Sequence, residues 1–584
     1  MKAFISSLLP VVASAAVLGL VPVALAHGDE HGHGDGGMGG MKMTDADKPL
    51  PEDQYPPTYF AHPDHRAAVY GHIALMVLAW VFALPAAVML SLARSRYALL
   101  VQFGFLVVNA GGVLLGVIYN ASTPDLYPNN AHHKLGWIVT FVVSAQVVVG
   151  VLARVAGMLK REKLTGGAEE RQGFIPVSTE AIAEHESRFP APYGRLSNDS
   201  GQGTEPRTES LRSHSLSDTP PSPRHKEFHN SDDDSDEDLE AHLPMFTKST
   251  KAHSIVAKVA GKISDRIWKV LIFAYNFIDR TILVLGFIAL CTGIITYGRF
   301  FEGQGIFSGL AHWIKGGVFF WLGIFTLGRW AGSFGELGWA WNVRPRKAGQ
   351  KWRPSAEFVE SFLIFFYGST NIFLEHLGGW GGEWSAQDME HISITVLFIG
   401  GGLCGMLVES TRIRNLLNYT VTDAVGEHTY NNRDEERDDL REPETYSFSM
   451  NPIPALVILL TGIMMSSHTQ ESMISSMVHK QWGNLLTGAS FARGLTYLLT
   501  WLKPPRSIYP SRPPTELLTS FGLIAGGIIF MASSSDTVSG MIHYQLDAMF
   551  MYTVTMGLVG LLMAWVIMMV ALKGWAARRE AHRV

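Results

Sequence analysis

Nine histidines lie in or beside apolar segments of this 584-residue chain. Imidazole is a ligand for copper, zinc and iron, and two neutral imidazoles can hold the iron of a haem. Ionisable side chains at membrane depth are costly and usually face an interior site. The set therefore predicts metal or haem chemistry, although any single member could simply bond a backbone carbonyl of a neighbouring helix. The nine are His72, His132, His133, His312, His376, His391, His468, His479 and His543.

A second group of possible ligands lies near the N-terminus, in the stretch "HGDEHGHGDGGMGGMKM" at residues 27–43. Imidazole and thioether together suit copper, and imidazole also takes zinc. A glycine-spaced tract of this kind is compositional evidence, so capture of copper or another transition metal and a merely solvated tail both stay open. The possible ligands are His27, His31, His33, Met38, Met41 and Met43.

The composition indicates a membrane protein. Hydrophobic residues make up 47% of the chain and charged residues only 17%, against about a quarter charged in soluble proteins. The net charge of −5 gives no reason to expect nucleic acid as a partner. We predict an all-α, polytopic helical bundle in a lipid bilayer, because eleven apolar segments have the length that crosses a bilayer. They are residues 67–91, 99–119, 134–157, 270–298, 310–330, 358–378, 390–409, 453–471, 481–501, 515–534 and 543–572.

The orientation follows from the first residues and from the loops. Lys2, the apolar run after it and the small residues Ala24-Leu25-Ala26 are typical of a cleaved secretory signal. The new N-terminus is then lumenal or extracellular, the C-terminus is cytosolic, and the loops rich in Lys and Arg fall on the cytosolic side as expected. In this topology all nine histidines lie toward lumenal span ends. The secretory pathway, an endomembrane such as the vacuole, or the plasma membrane would suit it.

A long polar insert separates the third and fourth predicted spans. It contains "SDDDSDEDLE" at residues 231–240, and such a composition cannot bury a core, so we predict disorder. Ser231 and Ser235 precede acidic residues and are predicted phosphorylation sites. Asn120 begins a glycosylation sequon in a predicted lumenal loop, which makes the protein a predicted glycoprotein.

Two stretches, "HPDHRAAVYGHIALMVLAWVFALPAAVML" and "HHKLGWIVTFVVSAQVVVGVLARV", resemble the core of the transmembrane ascorbate-reducing b-type cytochromes. The resemblance implies that one haem b is held by His72 and by either His132 or His133. The middle span carries no histidine, so a second ligand pair near the cytosolic face is not visible in this segment. The residues that carry the resemblance are His72, Trp80, Pro85, His132, His133, Leu135, Gly136, Gln146 and Gly150.

The whole chain outside the insert resembles the fungal Ytp-like family of transmembrane proteins. The resemblance rests on the histidine-rich start, the three-span segment, the acidic insert and C-terminal stretches such as "HWIKGGVFFWLGIFTLGRW" and "HTQESMISSMVHKQWGNLL". It implies an integral membrane protein with an electron-transport-like sequence, and no particular activity.

The predicted organisation has six parts. They are a signal at 1–26, a lumenal tail at 27–65, a three-span cytochrome-b-like module at 66–158, a cytosolic insert at 159–266, a membrane domain of about eight spans at 267–575 and a basic tail at 576–584. Arg493 lies near the middle of a predicted span, where a charge is expensive. It is expected to pair with a haem propionate, with an acid such as Asp547, or in a structural salt bridge.

Three functions remain open from the sequence. The leading prediction is a redox-active membrane protein, an oxidoreductase by analogy, with haem b or metal at its lumenal face and an unidentified electron donor. The second is a haem-free protein that binds or transports copper, zinc or iron, with its first ligands among the lumenal histidines. The third is a structural or trafficking protein that works through its insert.

Overall fold

The computed structural model describes residues 48–51, 54–169, 264–303, 305–345, 354–371, 384, 386–426, 442–467 and 470–582. These residues form helices and connecting segments without a strand, which confirms the predicted all-α class. The predicted signal, the tail ligands from His27 to Met43, His376 and His468 lie outside the described residues, as do Ser231 and Ser235.

Thirteen helices follow one another in the described part of the chain. They are α1 (Arg66–Leu92), α2 (Ala98–Ser122), α3 (Ala131–Glu169), α4 (Asp265–Gly298), α5 (Gly305–Ala331), α6 (Ala356–Asn371), α7 (Ala386–Glu409), α8 (Thr411–Gly426), α9 (Ile453–Ser467), α10 (Met473–Leu502), α11 (Pro514–Ala532), α12 (Ser535–His543) and α13 (Ala548–Ala581).

Eight of these helices are long and apolar enough to cross a membrane, namely α1 to α5, α7, α11 and α13. Each coincides with one of the eleven predicted spans. The other three predicted spans correspond to α6, α9 and α10. Helices α6 and α9 have 16 and 15 residues, which is shorter than the roughly 20 residues that cross a bilayer core. The 30 residues of α10 include Lys480 and Arg493.

Two boundaries differ from the sequence prediction. Helix α3 continues to Glu169, past the predicted end of the three-span module at residue 158. Its last turns are rich in Leu, Lys, Arg and Glu, which favour helix even in water. The last span begins at Ala548 instead of residue 543, because His543 ends the short helix α12 and Asp547 caps α13 by accepting a hydrogen bond from the Phe550 amide at 2.6 Å.

The chain forms two compact units, one of residues 1–148 with 271–583 and one of residues 149–270 with the last residue. In the described part of the second unit, the chain is helical on both sides of the insert. The sites described below all lie within the first unit.

Helix α11 is the centre of the first unit. In α11, 72% of the most apolar stretch is buried. The corresponding buried share is 28% or less in each of the other seven membrane-length helices. Glycines allow this packing, because a Cβ added at Gly527 would lie 2.6 Å from the carbonyl oxygen of Gly316 in α5. On the other side, a Cβ at Gly522 would lie 2.9 Å from the carbonyl oxygen of Leu485 in α10. Small residues at such crossings are how helices pack closely in lipid.

Helix α1 contains a π-helical turn at residues 78–83, just before Pro85. Proline has no amide hydrogen, so the carbonyl of Val81, four residues earlier, loses its usual helical partner. Trp565 of α13 donates its indole N–H to that carbonyl at 3.0 Å. The irregular turn places Trp80 inside the first four helices, where it packs against Phe105.

The first unit has two ends. At one end, Tyr127 before α3 donates its hydroxyl to the carbonyl of Phe300 after α4 at 2.6 Å, and Asp536 of α12 accepts the amide of Phe301 at 2.6 Å. We call this the histidine end, because His72, His132, His312 and His479 lie near the helix termini that meet there. At the opposite end, Asn342 donates to the carbonyl of Ile508 at 2.8 Å.

Candidate functional site

Two imidazoles from α1 and α3 meet at the histidine end. His72 is the seventh residue of α1 and His132 is the second residue of α3. Their ring centroids lie 6.2 Å apart, and the ring planes are inclined by 80°. The sequence left His132 and His133 as alternative partners of His72. The structure brings only His132 to it, since the side chain of His133 is exposed.

Hydrogen bonds fix the same tautomer in both rings. The Nδ1 atom of His72 lies 2.8 Å from the carbonyl oxygen of Gly112, which can only accept, so Nδ1 carries the hydrogen. The Nδ1 atom of His132 lies 3.3 Å from the hydroxyl oxygen of Thr292, whose own hydrogen is donated to the carbonyl of Ala289. In a neutral imidazole with its hydrogen on Nδ1, Nε2 is the nitrogen with the lone pair. A second partner that orients the ring in this way is typical of metal-binding histidines.

Glycines leave room for both rings. A Cβ added at Gly116 of α2 would lie 2.7 Å from Nδ1 of His72, and one at Gly293 of α4 would lie 3.1 Å from Cε1 of His132. Distances below 3 Å are closer than real side chains approach, so Gly116 is required for the present position of His72. Helices α2 and α4 thus hold the two imidazoles from opposite sides of the pair.

The spacing of the pair suits two ligands of one metal. Bonds from imidazole nitrogen to a metal are about 2.0 Å long, so two imidazoles on opposite sides of one ion have ring centroids roughly 6 Å apart. The observed separation is 6.2 Å. Each imidazole nitrogen bonds a metal along a line that lies in the plane of its own ring. The two rings can therefore be inclined to each other at any angle, and the observed inclination of 80° is compatible with this geometry.

Polar contacts between the same helices continue away from the pair. Trp80 donates to the side-chain oxygen of Asn109 at 2.8 Å, and Asn109 donates to Thr140 at 3.4 Å. Further on, the buried carboxylate of Asp279 accepts hydrogen bonds from Ser91 and Gln146. These contacts join α1, α2, α3 and α4, so they fix the orientation of the helices that carry His72 and His132.

A second imidazole pair lies in the C-terminal half. The ring centroids of His312 in α5 and His479 in α10 are 6.0 Å apart, with planes inclined by 87°. Each Nδ1 lies 2.9 Å from the carbonyl oxygen four residues earlier, at Ser308 and Ser475 respectively. His391 of α7 is near enough to His312 to interact with it electrostatically.

His543 has a different setting at the same end. Its ring stacks on Tyr55, with centroids 3.8 Å apart and planes inclined by 4°. Burial, with smaller contributions from Tyr544 and Asp536, raises the pKa of Tyr55 to about 12. The phenol therefore stays neutral, and His543 packs against an aromatic ring instead of a second imidazole. Among the described residues, no group of three or more His, Cys, Asp or Glu side chains could hold a metal ion.

Five buried charges lie near the opposite end, among α5, α6, α10 and α11. Arg329 contacts Glu357 at 2.9 Å and Glu360 at 3.1 Å. Arg493 contacts Glu516 at 2.8 Å and Glu360 at 3.5 Å. Glu360 thus joins the two arginines. We call these five residues the Arg–Glu cluster, and its two cations and three acids have a formal charge of −1.

The segment after α5 covers the Arg–Glu cluster. Arg329 donates to the carbonyl of Trp339 at 2.7 Å, and its guanidinium lies 4.3 Å from the ring centroid of Trp341. Such cation–π contacts are favourable, particularly where water is excluded. Arg493 also donates to the Thr326 hydroxyl at 3.0 Å. Of the predicted partners of Arg493, Asp547 was wrong, because it caps α13. Arg493 instead forms a buried salt bridge with Glu360 and Glu516, which is the structural alternative left open by the sequence.

Sequence reasoning identified only one member of the cluster. Arg329, Glu357 and Glu516 fall within a few residues of predicted span ends, where a charge normally faces water. The available signal was that three acids and Arg329 occur at the ends of neighbouring apolar segments on the predicted cytosolic side, while Arg493 lies inside one. That signal gives no pairing, since pairing depends on how the helices pack.

The predicted glycosylation site and the two cysteines can also be located. Asn120 lies in the last turn of α2 with an exposed side chain. Cys291 is half-buried and Cys404 is exposed, and both are free thiols.

Comparison with known proteins identifies the family. Residues 285–574 match the family described as "Protein YTP1-like, C-terminal", and residues 53–156 match a domain of unknown function, DUF2427. The chain is 34% identical to "Uncharacterized membrane protein C3B8.06" of Schizosaccharomyces pombe, over 87% of this chain and 94% of that protein. It is 32% identical to "Uncharacterized membrane protein YCR061W" of Saccharomyces cerevisiae, over 95% of this chain and 90% of that protein.

A third relative covers a smaller region. "Protein YTP1" of Saccharomyces cerevisiae is 26% identical over 31% of each chain. No solved structure matches the chain. None of these descriptions names a cytochrome, so the resemblance of residues 62–154 to b-type cytochromes stays a prediction. The two relatives above 30% identity match nearly the full length and the YTP1-like family matches residues 285–574, so the chain belongs to the YTP1-like family of membrane proteins.

Proposed function

We propose that this integral membrane protein is redox-active and that His72 and His132 would hold a b-type haem at the histidine end. The observation that carries the proposal is the pair itself. Two half-buried imidazoles from separate helices lie 6.2 Å apart, and each has Nδ1 engaged in a hydrogen bond. Bis-imidazole ligation of haem in the core of a helical bundle uses this arrangement.

The number of ligands favours haem over a bare metal ion. A macrocycle supplies four nitrogens to its iron, so two axial side chains complete the coordination. Protein sites for bare zinc generally need three or four side chains, and no group of three possible ligands exists among the described residues. The haem-free alternative is therefore the weaker one for His72 and His132.

The chain's own residues would prepare this site before any ligand binds. Gly112 and Thr292 engage the two Nδ1 atoms, so Nε2 is the nitrogen that each ring would offer to a metal. Gly116 and Gly293 allow α2 and α4 to approach the rings. A bound haem supplies one-electron transfer, and the protein tunes it through the identity of the axial ligands and the polarity around them.

The predicted membrane orientation and the ligand-rich tail at residues 27–43 extend the proposal to a reaction. Cleavage of the predicted signal would place the histidine end and the tail on the lumenal or extracellular side. The tail ligands His27, His31 and His33 with Met38, Met41 and Met43 would then bind copper or another transition metal on the side where electrons become available. Reduction of that metal is the reaction that this arrangement supports best, with a donor of unknown identity.

A reduced-minus-oxidised absorption spectrum of the detergent-purified full chain tests the proposal. We expect a b-type α band that weakens in His72→Ala and His132→Ala. His133→Ala is the matched control, since it removes the adjacent but exposed histidine and should leave the spectrum unchanged. A folded wild-type protein without any haem band contradicts the proposal, and so does a band that keeps its full wild-type intensity in both the His72 and His132 variants.

A further inference from the structure

We propose that His312 and His479 form a second bis-imidazole site, which holds a second haem in the C-terminal half of the chain. This inference goes beyond the proposed function, because it uses different helices and stands if the His72–His132 site fails. His312 is the eighth residue of α5 and His479 the seventh residue of α10. Both helices begin at the histidine end.

The geometry of this pair matches that of the first. The ring centroids are 6.0 Å apart and the planes are inclined by 87°, against 6.2 Å and 80° for His72 and His132. Two imidazoles that ligate one iron have centroids roughly 6 Å apart, given nitrogen–metal bonds of about 2.0 Å. Two unrelated pairs of helices therefore reach the same spacing and the same steep inclination.

The hydrogen bonds again fix the tautomer. The carbonyl oxygens of Ser308 and Ser475 lie 2.9 Å from Nδ1 of His312 and His479, and a carbonyl can only accept. Both rings therefore carry their hydrogen on Nδ1 and turn Nε2 away from their own helix. An imidazole bonded in this way to its own backbone is held at a defined angle, as a metal ligand needs to be.

Aromatic side chains surround the pair. The ring of Phe530 in α11 lies 5.6 Å from that of His312, and Trp482 lies 6.0 Å from His479. Trp482 and Phe530 stack on each other at 4.0 Å, and Trp482 is fully buried. The two imidazoles therefore lie against an apolar, aromatic wall.

The number of ligands again favours haem over a bare metal ion. His391 lies in the vicinity of His312, but the described residues contain no set of three side chains placed to bind one ion. Bare zinc in proteins generally takes three or four side chains, whereas a pair of imidazoles completes the coordination of haem iron. A chain with both pairs occupied could take up two electrons instead of one.

The haem content of the purified full chain tests this inference. We expect about two haems per wild-type chain and about one in His479→Ala, one in His72→Ala and none in the double variant. His543→Ala is the control, because His543 stacks on Tyr55 at the same end and faces no second imidazole. One haem per chain that is lost in His72→Ala and kept in His479→Ala overturns the second site alone. One haem that is lost in His479→Ala and kept in His72→Ala supports it and overturns the first.

A conservative variant guards against misfolding of the alanine variant. Methionine can replace histidine as an axial ligand, and His/Met ligation raises the reduction potential. We expect His479→Met to keep about two haems per chain and to shift the midpoint potential of only one of them upward. An unchanged redox titration of a fully loaded His479→Met protein contradicts ligation by His479.

Discussion

Arg493 in α10 and Glu516 in α11 form a buried ion pair with an N–O distance of 2.8 Å. Glu516 is completely inaccessible and Arg493 nearly so. The two residues are separated by the connection between α10 and α11, and Glu360 from α6 and Thr326 from α5 complete the contacts of the guanidinium. One arginine side chain therefore joins four helices of the first unit.

Removal of this arginine should strongly destabilise the protein. Arg493→Met leaves Glu516 and Glu360 buried without their partner, and breaking a buried pair from one side costs about 3–5 kcal/mol. Thermal unfolding of the detergent-purified protein, followed by loss of the monodisperse species, measures the effect. Arg506→Met is the control, because Arg506 is exposed in the connection after α10 and should melt like the wild type.

The double variant Arg493→Met/Glu516→Gln separates pairing from packing. It removes one charge of each sign, so we expect less destabilisation than the sum of the two single variants, since residues in one network are not additive. Simple additivity of the three melting shifts contradicts a direct interaction between Arg493 and Glu516.

The close glycine contacts around α11 lead to a second prediction about stability. A Cβ at Gly316 would lie 2.5 Å from the carbonyl oxygen of Gly527, so Gly316→Ala must push α5 away from α11 and lower the melting temperature. Gly557→Ala in α13 is the matched helical control, because nothing lies within 4 Å of the added methyl group. Alanine favours helix over glycine by about 1 kcal/mol, so the control should be neutral or slightly stabilised. Equal melting temperatures for both variants contradict the close crossing of α5 and α11.

The position of His72 depends on Gly116. A methyl group there would lie 2.7 Å from Nδ1 of His72, so Gly116→Ala should displace the ring and reduce the haem band without removing any ligand. Gly104→Ala lies in the same helix with nothing within 4 Å of the new Cβ, and it should leave the band unchanged. The comparison is made at equal amounts of monodisperse protein. A full haem band in Gly116→Ala contradicts the role of Gly116 as the residue that leaves room for the His72 ring.

Glycosylation tests the orientation of the histidine end. Asn120 is exposed in the last turn of α2, and α3 with His132 begins only a few residues later. If that end is lumenal, endoglycosidase should increase the gel mobility of the wild-type protein and leave Asn120→Gln unchanged. Asn418 in α8 begins another sequon, Asn418-Tyr419-Thr420, on the predicted cytosolic side, so Asn418→Gln is the control and should behave like the wild type. A shift that survives in Asn120→Gln contradicts the lumenal assignment.

The lengths of the apolar segments were sufficient to predict the class of fold and the places of eleven of the thirteen helices. The same reasoning found His72 and His132, because a histidine in an apolar segment is conspicuous. It could not choose between His132 and His133, since adjacent residues of a helix differ in direction by about 100° and only packing decides which one faces α1.

The Arg–Glu cluster shows the limit more clearly. Arg493 attracted attention because it lies well inside an apolar run, while Glu357 and Glu516 lie in first turns where an acid is favourable for the helix itself. Nothing local distinguishes such an acid from one that pairs with an arginine of another helix. Likewise, the pairing of His312 with His479 depends on the crossing of α5, α10 and α11, which is a property of the packed bundle.

The most direct test of the central claim is a low-temperature electron paramagnetic resonance spectrum of the oxidised, detergent-purified full chain. Two imidazoles on one ferric haem give a low-spin signal, and we expect that signal in the wild type and in His133→Ala. In His132→Ala the contribution of this site should be lost or become high-spin, because one axial ligand is missing. A wild-type protein that is folded but lacks a low-spin ferric signal contradicts the account.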